Sequence, residues 1–295
     1  MGATYGGPNA EAIEAWDTVL FHKYERFRHI MCEGAIPSIG EVAMDRLALR
    51  PGARVIDLGC GFGDTTRVLA QRVGTTGEVV GVDSSARFIE LASKEAKEHK
   101  VENVRFGVRD VQSEDLGGPY DVAFSRLGMM FCLSPVQAFR NIQRSLAPGG
   151  VLAMVVWRKR EDNPWAHLAE TVVRKILPDR HADPNRTEVT CGPGPFSMAG
   201  ADLVSDQLTK AGYDRISFER CDRRMVMGRD IDEAIDFVMA LGPAGEIVRL
   251  AGNEGVEKKP EVIAALKKAL EELRAPDGSI GATTSMWLVT ATPKR

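Results

Sequence analysis

Two kinds of hydrophobic pattern alternate along the chain from residue 52 onward. Short continuous apolar runs are typical of buried strands, and apolar residues spaced three or four apart are typical of helices that bury one face. Alternation at this interval indicates βαβ units, which predict a parallel sheet covered by helices on both faces. The predicted strands are ARVIDLGC, EVVGVDSS, VRFGVRD, YDVAFSR and VLAMVVW, and the helices between them are DTTRVLAQRV, ARFIELASKEAKEHK and SPVQAFRNIQRSL.

The segment before this core is predicted to be helical between residues 9 and 48. Trp16, Leu20, Tyr24 and Phe27 recur there at helical spacing, and this apolar stripe must be buried somewhere. Because the sheet is complete from residue 52 onward, we expect the leader to serve function more than folding.

The chain after the core predicts further helices and two more strands. With these strands, the predicted fold is a doubly wound, mostly parallel, seven-stranded α/β sheet with helical additions. The predicted domains are a helical lid at residues 1–48, a binding core at 49–158, and substrate-side helices plus the last strands at 159–295. The added segments are a helix at 164–177, a loop at 178–195, the helices ADLVSDQLTKAGY, DIDEAIDFVMAL and PEVIAALKKALEEL, and the strands RISFERCDRRMVM and TSMWLVTATP.

Composition narrows the classes of function. The 295 residues are 44% apolar and carry a formal net charge of -3, which gives no general attraction to nucleic acid or anionic lipid. No apolar run approaches the roughly 20 residues that span a bilayer. Five widely spaced cysteines without a CxxC pair argue against a disulfide framework and a metal site. We expect a cytoplasmic protein without a nucleic-acid partner, membrane partner or metal, and the sequence allows a homo-oligomer.

The stretch VIDLGCGFGDTT places Gly59, Gly61 and Gly63 where the first predicted strand turns into the first helix. Open α/β sheets bind ligands at the carboxyl ends of their strands, and glycines let a ligand approach the backbone. The spacing does not match the GxGxxG of dinucleotide sites, because Asp64 or Thr66 stands at the last position. Asp64 at the helix start would also repel a pyrophosphate. The turn therefore predicts a ligand without phosphates and favours a cationic one.

Three acidic residues lie around this turn. Asp57 precedes the first glycine by two residues, Asp83 ends the second predicted strand, and Asp110 ends the third. A carboxylate at the position of Asp83 can accept both hydroxyls of a ribose, and one at Asp110 can accept the exocyclic amine of an adenine. S-Adenosyl-L-methionine combines an adenine, a free ribose diol and a positive sulfonium. The acidic residues therefore predict this ligand.

Five segments between residues 55 and 157 strengthen that interpretation: VIDLGCGFG, VVGVDSS, GVRDV, PYDVAFSRLGMMF and LAPGGVLAMVVW. In this order they resemble the motifs of class I S-adenosylmethionine-dependent methyltransferases, of the group related to the ubiquinone and menaquinone methyltransferases. NPW at 163–165 and GPF at 194–196 extend the resemblance. It implies a Rossmann-like fold, S-adenosyl-L-methionine as methyl donor and S-adenosyl-L-homocysteine as product. It does not name the substrate.

The resemblance also implies roles for single positions. Residues of the glycine turn would contact the methionine part, residues after the second strand the ribose, and residues after the third strand the adenine. Helices before the first strand lie across the crevice in this family, which is why residues 1–48 are predicted to form a lid. The predicted cofactor-binding residues are Asp57, Gly59, Cys60, Gly61, Asp83, Ser84, Asp110, Val111, Ser125 and Arg126, together with Tyr24 and Arg28 for the methionine carboxylate.

The catalytic residue is harder to find, because a sulfonium methyl is already activated and the protein has mainly to align the nucleophile and exclude water. A base helps when the nucleophile is a hydroxyl or a protonated amine. His22, His29, His99 and His181 are interpreted as structural or solvated. His167 follows NPW after the fifth strand, where substrates usually enter. His167 is therefore the predicted base.

The acceptor is predicted from what the chain lacks. SRLGMM replaces the Asp/Asn-Pro-Pro-aromatic signature of nucleic-acid amino-methyltransferases and supplies no acidic metal ligands. Trp157, Trp165, Met129 and Met130 can wall an apolar substrate pocket or simply pack in the core. We therefore predict methyl transfer to an O, N or C nucleophile of a small molecule. Two alternatives stay open: a catalytically silent module that binds S-adenosyl-L-methionine, and a methyltransferase acting on RNA or protein.

Overall fold

The computed structural model describes residues 9–47, 49–178 and 193–294. The strands are β1 (Arg54–Leu58), β2 (Glu78–Asp83), β3 (Val104–Val108), β4 (Tyr120–Arg126), β5 (Leu146–Trp157), β6 (Tyr213–Gly228) and β7 (Ile280–Pro293). In these parts of the chain they form one seven-stranded sheet of order β3-β2-β1-β4-β5-β7-β6. β1 to β5 pair in parallel, and β7 pairs antiparallel with both β5 and β6. The predicted mostly parallel seven-stranded α/β fold is confirmed.

Helices flank this sheet as the apolar periodicity predicts. The helices that follow β1 to β6 are α5 (Asp64–Val73), α6 (Ala86–Glu98), α7 (Pro135–Ser145), α8 (Pro164–Ile176), α9 (Ala201–Lys210), α10 (Ile231–Leu241), α11 (Pro243–Leu250) and α12 (Gly252–Glu271). Ser85 begins α6 by accepting a hydrogen bond from the backbone N–H of Phe88, and prolines stand at the starts of α7 and α8. α5 packs on β1 to β3, α6 on β2 and β3, and α7 on β5.

The N-terminal segment is helical as predicted, but it divides into two parts with different surroundings. It consists of α1 (Ala10–Ala15), a π-helical turn (Trp16–Leu20), α2 (Phe21–Arg26), α3 (Arg28–Met31) and α4 (Ala35–Asp45). Phe27, Ile36 and Ile39 are at most 2% exposed and belong to the main hydrophobic core. This packing argues against the expectation that the second half of the leader serves function more than folding.

Three helices are inserted between β6 and β7, where the sequence predicted two. α11 was not foreseen because it is short, begins at Pro243 and contains Gly245. α12 begins eight residues before Pro260, the residue at which the sequence pattern started this helix. The insertion packs against α8 through α11 and α12. Most of the predicted 178–195 loop, with His181 and Cys191, lies outside the described residues.

None of the helices in the described ranges combines the length and the apolar composition that a membrane span requires. The domain boundaries predicted at residues 48 and 158 stay predictions.

Candidate functional site

The glycine turn between β1 and α5 brings backbone close to backbone. Gly59 and Gly61 have φ angles of +65° and +52°, a left-handed conformation that glycine readily adopts. A Cβ on Gly59 would lie 3.0 Å from the Cα of Gly128, in the segment after β4. Gly63 serves packing, since a Cβ there would meet the Cβ of Ala92 at 2.9 Å. The absence of side chains therefore lets the turn, the segment after β4 and α6 approach each other closely.

A cavity of about 190 Å³ opens beside this turn. Its wall joins the N-terminal helices, the glycine turn, the carboxyl ends of β2 to β5 and the segment after β4. Ligands of open α/β sheets bind at this position. The predicted residues that line it are Tyr24, Gly59, Cys60, Gly61, Asp83, Ser84, Asp110, Val111 and Arg126.

Asp83 is held by backbone donors at the end of β2. One carboxylate oxygen accepts the N–H of Gly61 at 3.0 Å, and the other accepts the N–H of Ser85 at 3.0 Å. Burial raises the pKa of Asp83, and these N–H groups oppose the rise. The backbone N–H of Ser84 also hydrogen-bonds to this carboxylate. With three donors in place, a carboxylate still has acceptor capacity for a ribose hydroxyl.

Asp57 and Ser125 do not line the cavity and instead support its floor. Asp57 is 1% exposed and accepts a hydrogen bond of 2.6 Å from the hydroxyl of Thr66. Burial raises the pKa of Asp57 to about 7. Ser125 donates to the backbone carbonyl of Leu58 at 2.8 Å and so fixes the end of β1. The structure places both predicted residues beneath the glycine turn rather than on the ligand's side of it.

Arg126 lies at the end of β4 and reaches the cavity. Its Nε donates to the hydroxyl of Thr65 at 2.8 Å, and its Nη1 donates to the carbonyl of Met31 at 3.1 Å. Among the described residues, no carboxylate forms an ion pair with Arg126. A lining guanidinium whose partners are all neutral is suited to bind an anionic group of a ligand.

Arg28 is placed differently from the prediction. It does not line the cavity, and its guanidinium donates to Glu95 at 2.7 Å and to Asp64 at 2.8 Å. Arg67 bonds the same Asp64 oxygen at 2.7 Å. These carboxylates engage the guanidinium of Arg28, so it does not supply the missing cation for a methionine carboxylate. Tyr24 does line the cavity, beside the ring of Trp16 at 5.2 Å between centroids.

His167 is likewise away from the cavity. It lies in the first turn of α8, where Trp165 and Ala166 face the core and His167 is exposed. Trp165 packs against Trp157 and Phe237 and does not line the cavity, whereas Trp157, Met129 and Met130 do. The geometry therefore gives no support to His167 as a base. Of the predicted apolar wall, Trp157, Met129 and Met130 line the cavity, whereas Trp165 belongs to the core.

The thiols around the cavity are protonated. Burial raises the pKa of Cys32 and of Cys132 to about 12, and it also raises that of Cys60. None is a thiolate near neutral pH. The described lining residues include no histidine, lysine or glutamate. The lining aspartates, Asp64, Asp83 and Asp110, already accept hydrogen bonds from neighbouring protein groups. The cavity therefore offers shape and hydrogen bonds rather than an unengaged base.

Residues 9–26, called the lid below, close the cavity from the N-terminal side. Asp17 accepts hydrogen bonds from the hydroxyl of Ser85 at 2.7 Å and from the N–H of Arg87 at 2.9 Å, at the start of α6. A carboxylate at a helix N-terminus is favourable. Phe21 packs against Phe62 and Phe88 in a second small core. These helices contribute Asn9, Trp16 and Tyr24 to the cavity lining, and their role as a lid stays a prediction.

Sequence reasoning missed several lining residues. Asn9, Met31, Cys32 and Gln112 line the cavity without being part of a recognised motif, and Arg109 lies in GVRDV but was assigned no role. Gln112 follows the predicted adenine residues by one position, which is a usable signal. Asn9 carries no signal, because its contacts lie about a hundred residues away in the sequence.

Residues 49–182 match the family model described as a methyltransferase domain. The match spans the glycine turn, β1 to β5 and the carboxyl ends that form the cavity floor. It agrees with the resemblance inferred from the motifs.

Relatives of the methyltransferase domain carry the names of small-molecule enzymes. The chain is 36% identical to a trans-aconitate 2-methyltransferase of Deinococcus radiodurans over 36% of this chain and 39% of that protein. It is 33% identical to a 2-phytyl-1,4-naphtoquinone methyltransferase of Thermosynechococcus vestitus over 45% of this chain and 58% of that protein. A demethylmenaquinone methyltransferase of Staphylococcus saprophyticus is 27% identical over 44% of this chain and 55% of that protein. The chain thus spans only 39% to 58% of these relatives.

Solved structures share the fold of the methyltransferase domain and its additions. The YcgJ protein of Bacillus subtilis has a TM-score of 0.55 at 17% identity, over 88% of this chain and 100% of that chain. A phosphoethanolamine N-methyltransferase of Haemonchus contortus, in complex with S-adenosyl-L-methionine, has a TM-score of 0.58 at 16% identity. The comparison covers 96% of this chain and 60% of that chain. At these identities the likeness establishes the fold alone.

Proposed function

We propose that this chain transfers a methyl group from S-adenosyl-L-methionine to a small organic acceptor. The carboxylate of Asp83 carries the proposal: it ends β2 beside the cavity, is fixed by backbone N–H groups, and keeps acceptor capacity on the side of the cavity. A ribose hydroxyl satisfies it. Asp64 at the start of α5 disfavours a dinucleotide, because a pyrophosphate would bind at that helix N-terminus and the carboxylate would repel it.

The methionine end is assigned to Arg126 rather than Arg28. Arg126 lines the cavity and pairs with no carboxylate of the described residues, whereas two carboxylates engage Arg28. A methionine carboxylate would complete the neutralisation of Arg126. Asp64, which also lines the cavity, is kept ionised by Arg28, since the pKa of Asp64 is lowered despite its burial. A carboxylate and a guanidinium in one wall suit a zwitterion.

Catalysis by this site rests on positioning. The sulfonium of the bound donor supplies an activated methyl group. Trp16 and Tyr24 from the lid exclude water, while Met129, Met130 and Trp157 form an apolar wall against which an acceptor packs. The described lining residues include no histidine, lysine or glutamate, and their aspartates are already engaged by protein donors. We therefore infer that the acceptor reacts through a nucleophile that ionises without help from the protein.

The relatives' names support an acceptor of small size, since they cite trans-aconitate and quinones. A carboxylate or an acidic phenol or enol meets the requirement for an ionised nucleophile. A cytoplasmic location, the absence of a nucleic-acid partner and a homo-oligomer stay predictions.

Calorimetry with S-adenosylhomocysteine and NAD tests the choice of ligand. We expect binding of the former and none of the latter. Asp83→Ala should weaken S-adenosylhomocysteine binding by about 10- to 100-fold, the worth of hydrogen bonds to a charged group. Asp202→Ala, an exposed carboxylate on α9, is the matched control and should change nothing. Unchanged affinity in a folded Asp83→Ala protein would contradict the ribose assignment.

Turnover is tested by S-adenosylhomocysteine formation across acceptors whose nucleophiles differ in pKa. The proposal expects product with small carboxylic acids, phenols or enols, and a rate that follows ionisation of the acceptor. Tight ligand binding without turnover on any acceptor would instead favour the silent binding module.

A further inference from the structure

Asn9, at the start of the lid, makes a side-chain contact that the methyltransferase motifs do not explain. Its Nδ2 donates to Oδ2 of Asp110 at 2.6 Å, across 101 residues of sequence. Asn9 is only 8% exposed and lines the cavity together with Asp110 and Gln112. A polar side chain from the lid is therefore buried at the position where the sequence places the adenine.

The hydrogen bonds around Gln112 fix the orientation of the Asn9 carboxamide. The side-chain oxygen of Gln112 accepts the N–H of Ser134 at 2.6 Å, so its Nε2 is turned to the other side. That Nε2 donates to Oδ1 of Asn9 at 3.3 Å. The nitrogen of Asn9 consequently faces Asp110. The two amides form one chain of donors that ends on a carboxylate.

This chain determines which oxygen of Asp110 is left for a ligand. Oδ2 accepts two hydrogen bonds, one from Nδ2 of Asn9 and one from the hydroxyl of Ser113 at 2.7 Å. Among the described residues, Oδ1 accepts a hydrogen bond only from the N–H of Gln112, at 2.9 Å. With Oδ2 filled, the acceptor capacity that remains on Asp110 is a lone pair of Oδ1.

The loop that carries Asp110 is itself held in place. The side-chain nitrogen of Asn141 on α7 donates to the carbonyls of Val111 at 2.9 Å and Glu114 at 2.7 Å. Because these hydrogen bonds fix the loop backbone, the remaining freedom of Asp110 is rotation of its side chain. Asn9 is the lid residue that fixes this rotation.

We propose that Asn9 is a positioning residue for adenine recognition: by filling Oδ2 of Asp110, it presents Oδ1 to the exocyclic amine of the purine. The assignment rests on the proposed function, since it presumes an adenine-bearing ligand. It also links lid closure to base recognition, because Asn9 adds its hydrogen bond to those of Ser113 and Gln112 when the lid lies on the core. A ligand whose base lacks the amine gains nothing from this arrangement.

The test compares two ligands on the full-length protein. S-Adenosylhomocysteine carries the amine, and S-inosylhomocysteine carries a carbonyl oxygen in its place, which faces the Asp110 carboxylate unfavourably. Calorimetry should show that the wild-type protein prefers the adenine ligand by about tenfold or more. Asn9→Ala should reduce this preference by about tenfold, mainly through weaker binding of the adenine ligand. Glu14→Ala, an exposed change in the same helix, should leave the preference intact.

A double-mutant cycle separates positioning from simple anchoring of the lid. In an Asp110→Asn background, Asn9→Ala should no longer alter the preference, because the residue acts through Asp110. Equal weakening of both ligands by Asn9→Ala would assign Asn9 to lid anchoring alone and overturn the proposal. Tighter binding of S-adenosylhomocysteine would show that Asn9 blocks the subsite, and would overturn it as well. A wild-type protein that binds neither ligand would refute the proposed function itself.

Discussion

Thr66 and Asp57 form a buried pair beneath the glycine turn, with the threonine hydroxyl donating to the carboxylate across 2.6 Å. Asp57 is 1% exposed, and its pKa is raised to about 7, chiefly by burial and further by the charges of Asp83 and Asp64. Thr66 and the cation of Arg126 oppose this rise. The carboxyl group is therefore protonated in the folded protein at a pH where the unfolded chain has already lost the proton.

This pair predicts how stability depends on pH. The pKa of Asp57 in the folded protein lies above the ordinary value of 3.8. The contribution of Asp57 to the free energy of unfolding is therefore fully present below pH 4 and is lost as the pH rises to about 7. The loss amounts to about 4 kcal/mol at most. Asp57→Asn should flatten this part of the profile in urea unfolding between pH 4 and 8.

Thr66→Val provides the companion measurement. Removing the hydroxyl takes away a hydrogen bond that favours the charged form, so the pKa of Asp57 should rise further and the decline should move to higher pH. An identical pH profile in wild type and Asp57→Asn would show that Asp57 does not titrate in this range.

Arg126 should discriminate between ligands with and without a carboxylate. Arg126→Gln is expected to weaken S-adenosylhomocysteine binding by about 10- to 100-fold, because a charged hydrogen bond is lost. Binding of 5′-methylthioadenosine, which lacks the amino-acid part, should stay unchanged. Calorimetry with both ligands gives the comparison.

Arg109→Gln is the matched control for this prediction, since Arg109 lines the cavity beside Asp110. Any effect there should be the same for both ligands. If Arg126→Gln weakens both ligands equally, the methionine carboxylate has another partner.

Gly59 should not tolerate a side chain. Gly59→Ala imposes a left-handed residue, which costs about 1–2 kcal/mol. It also sets a Cβ 3.0 Å from the Cα of Gly128, so the cavity floor must shift. We expect lower thermal stability together with weaker S-adenosylhomocysteine binding.

Gly252→Ala is the control for backbone strain, because its φ is +57° and a Cβ there would meet nothing within 4 Å. It should lower stability without changing ligand affinity. Normal affinity in Gly59→Ala would mean that the turn adapts without disturbing the site.

The parts of the fold that were predictable are those encoded by local pattern. β1 to β5 and the glycine turn follow from apolar runs and from a motif contained within a few residues, and the structure has them where the sequence put them. The side-chain partners were not predictable in this way. Arg28 looked available one turn from Tyr24, but its charge is taken by Glu95, 67 residues further along the chain.

The N-terminal stripe shows a second limit. Trp16, Leu20, Tyr24 and Phe27 share one face of an ideal helix, but the chain passes through a π-helical turn at Trp16–Leu20. Such a turn changes the helical register. Trp16 and Tyr24 consequently line the cavity, while Phe27 packs on Phe237 in the main core. Periodicity predicted that the stripe is buried, but only Phe27 is, whereas Trp16, Leu20 and Tyr24 are half-buried. It could not predict that the stripe is divided between two sites.

Two truncations of the leader should therefore behave differently. Removing residues 1–26 takes away Asn9, Trp16 and Tyr24 but leaves the main-core residues from Phe27 onward. We expect a cooperative fold, somewhat less stable because Phe62 and Phe88 lose their cover, with S-adenosylhomocysteine affinity reduced at least about tenfold. Thermal unfolding and calorimetry measure the two effects separately.

Removing residues 1–40 should instead abolish cooperative unfolding. It deletes Ile36 and Ile39, which are fully buried, together with Phe27, and large deletions from a packed core are strongly destabilising. A stable 41–295 fragment would show that the core closes without α4, contrary to the packing seen in the structure. A 27–295 fragment that binds S-adenosylhomocysteine as tightly as the full chain would show that the lid does not contribute to the ligand site.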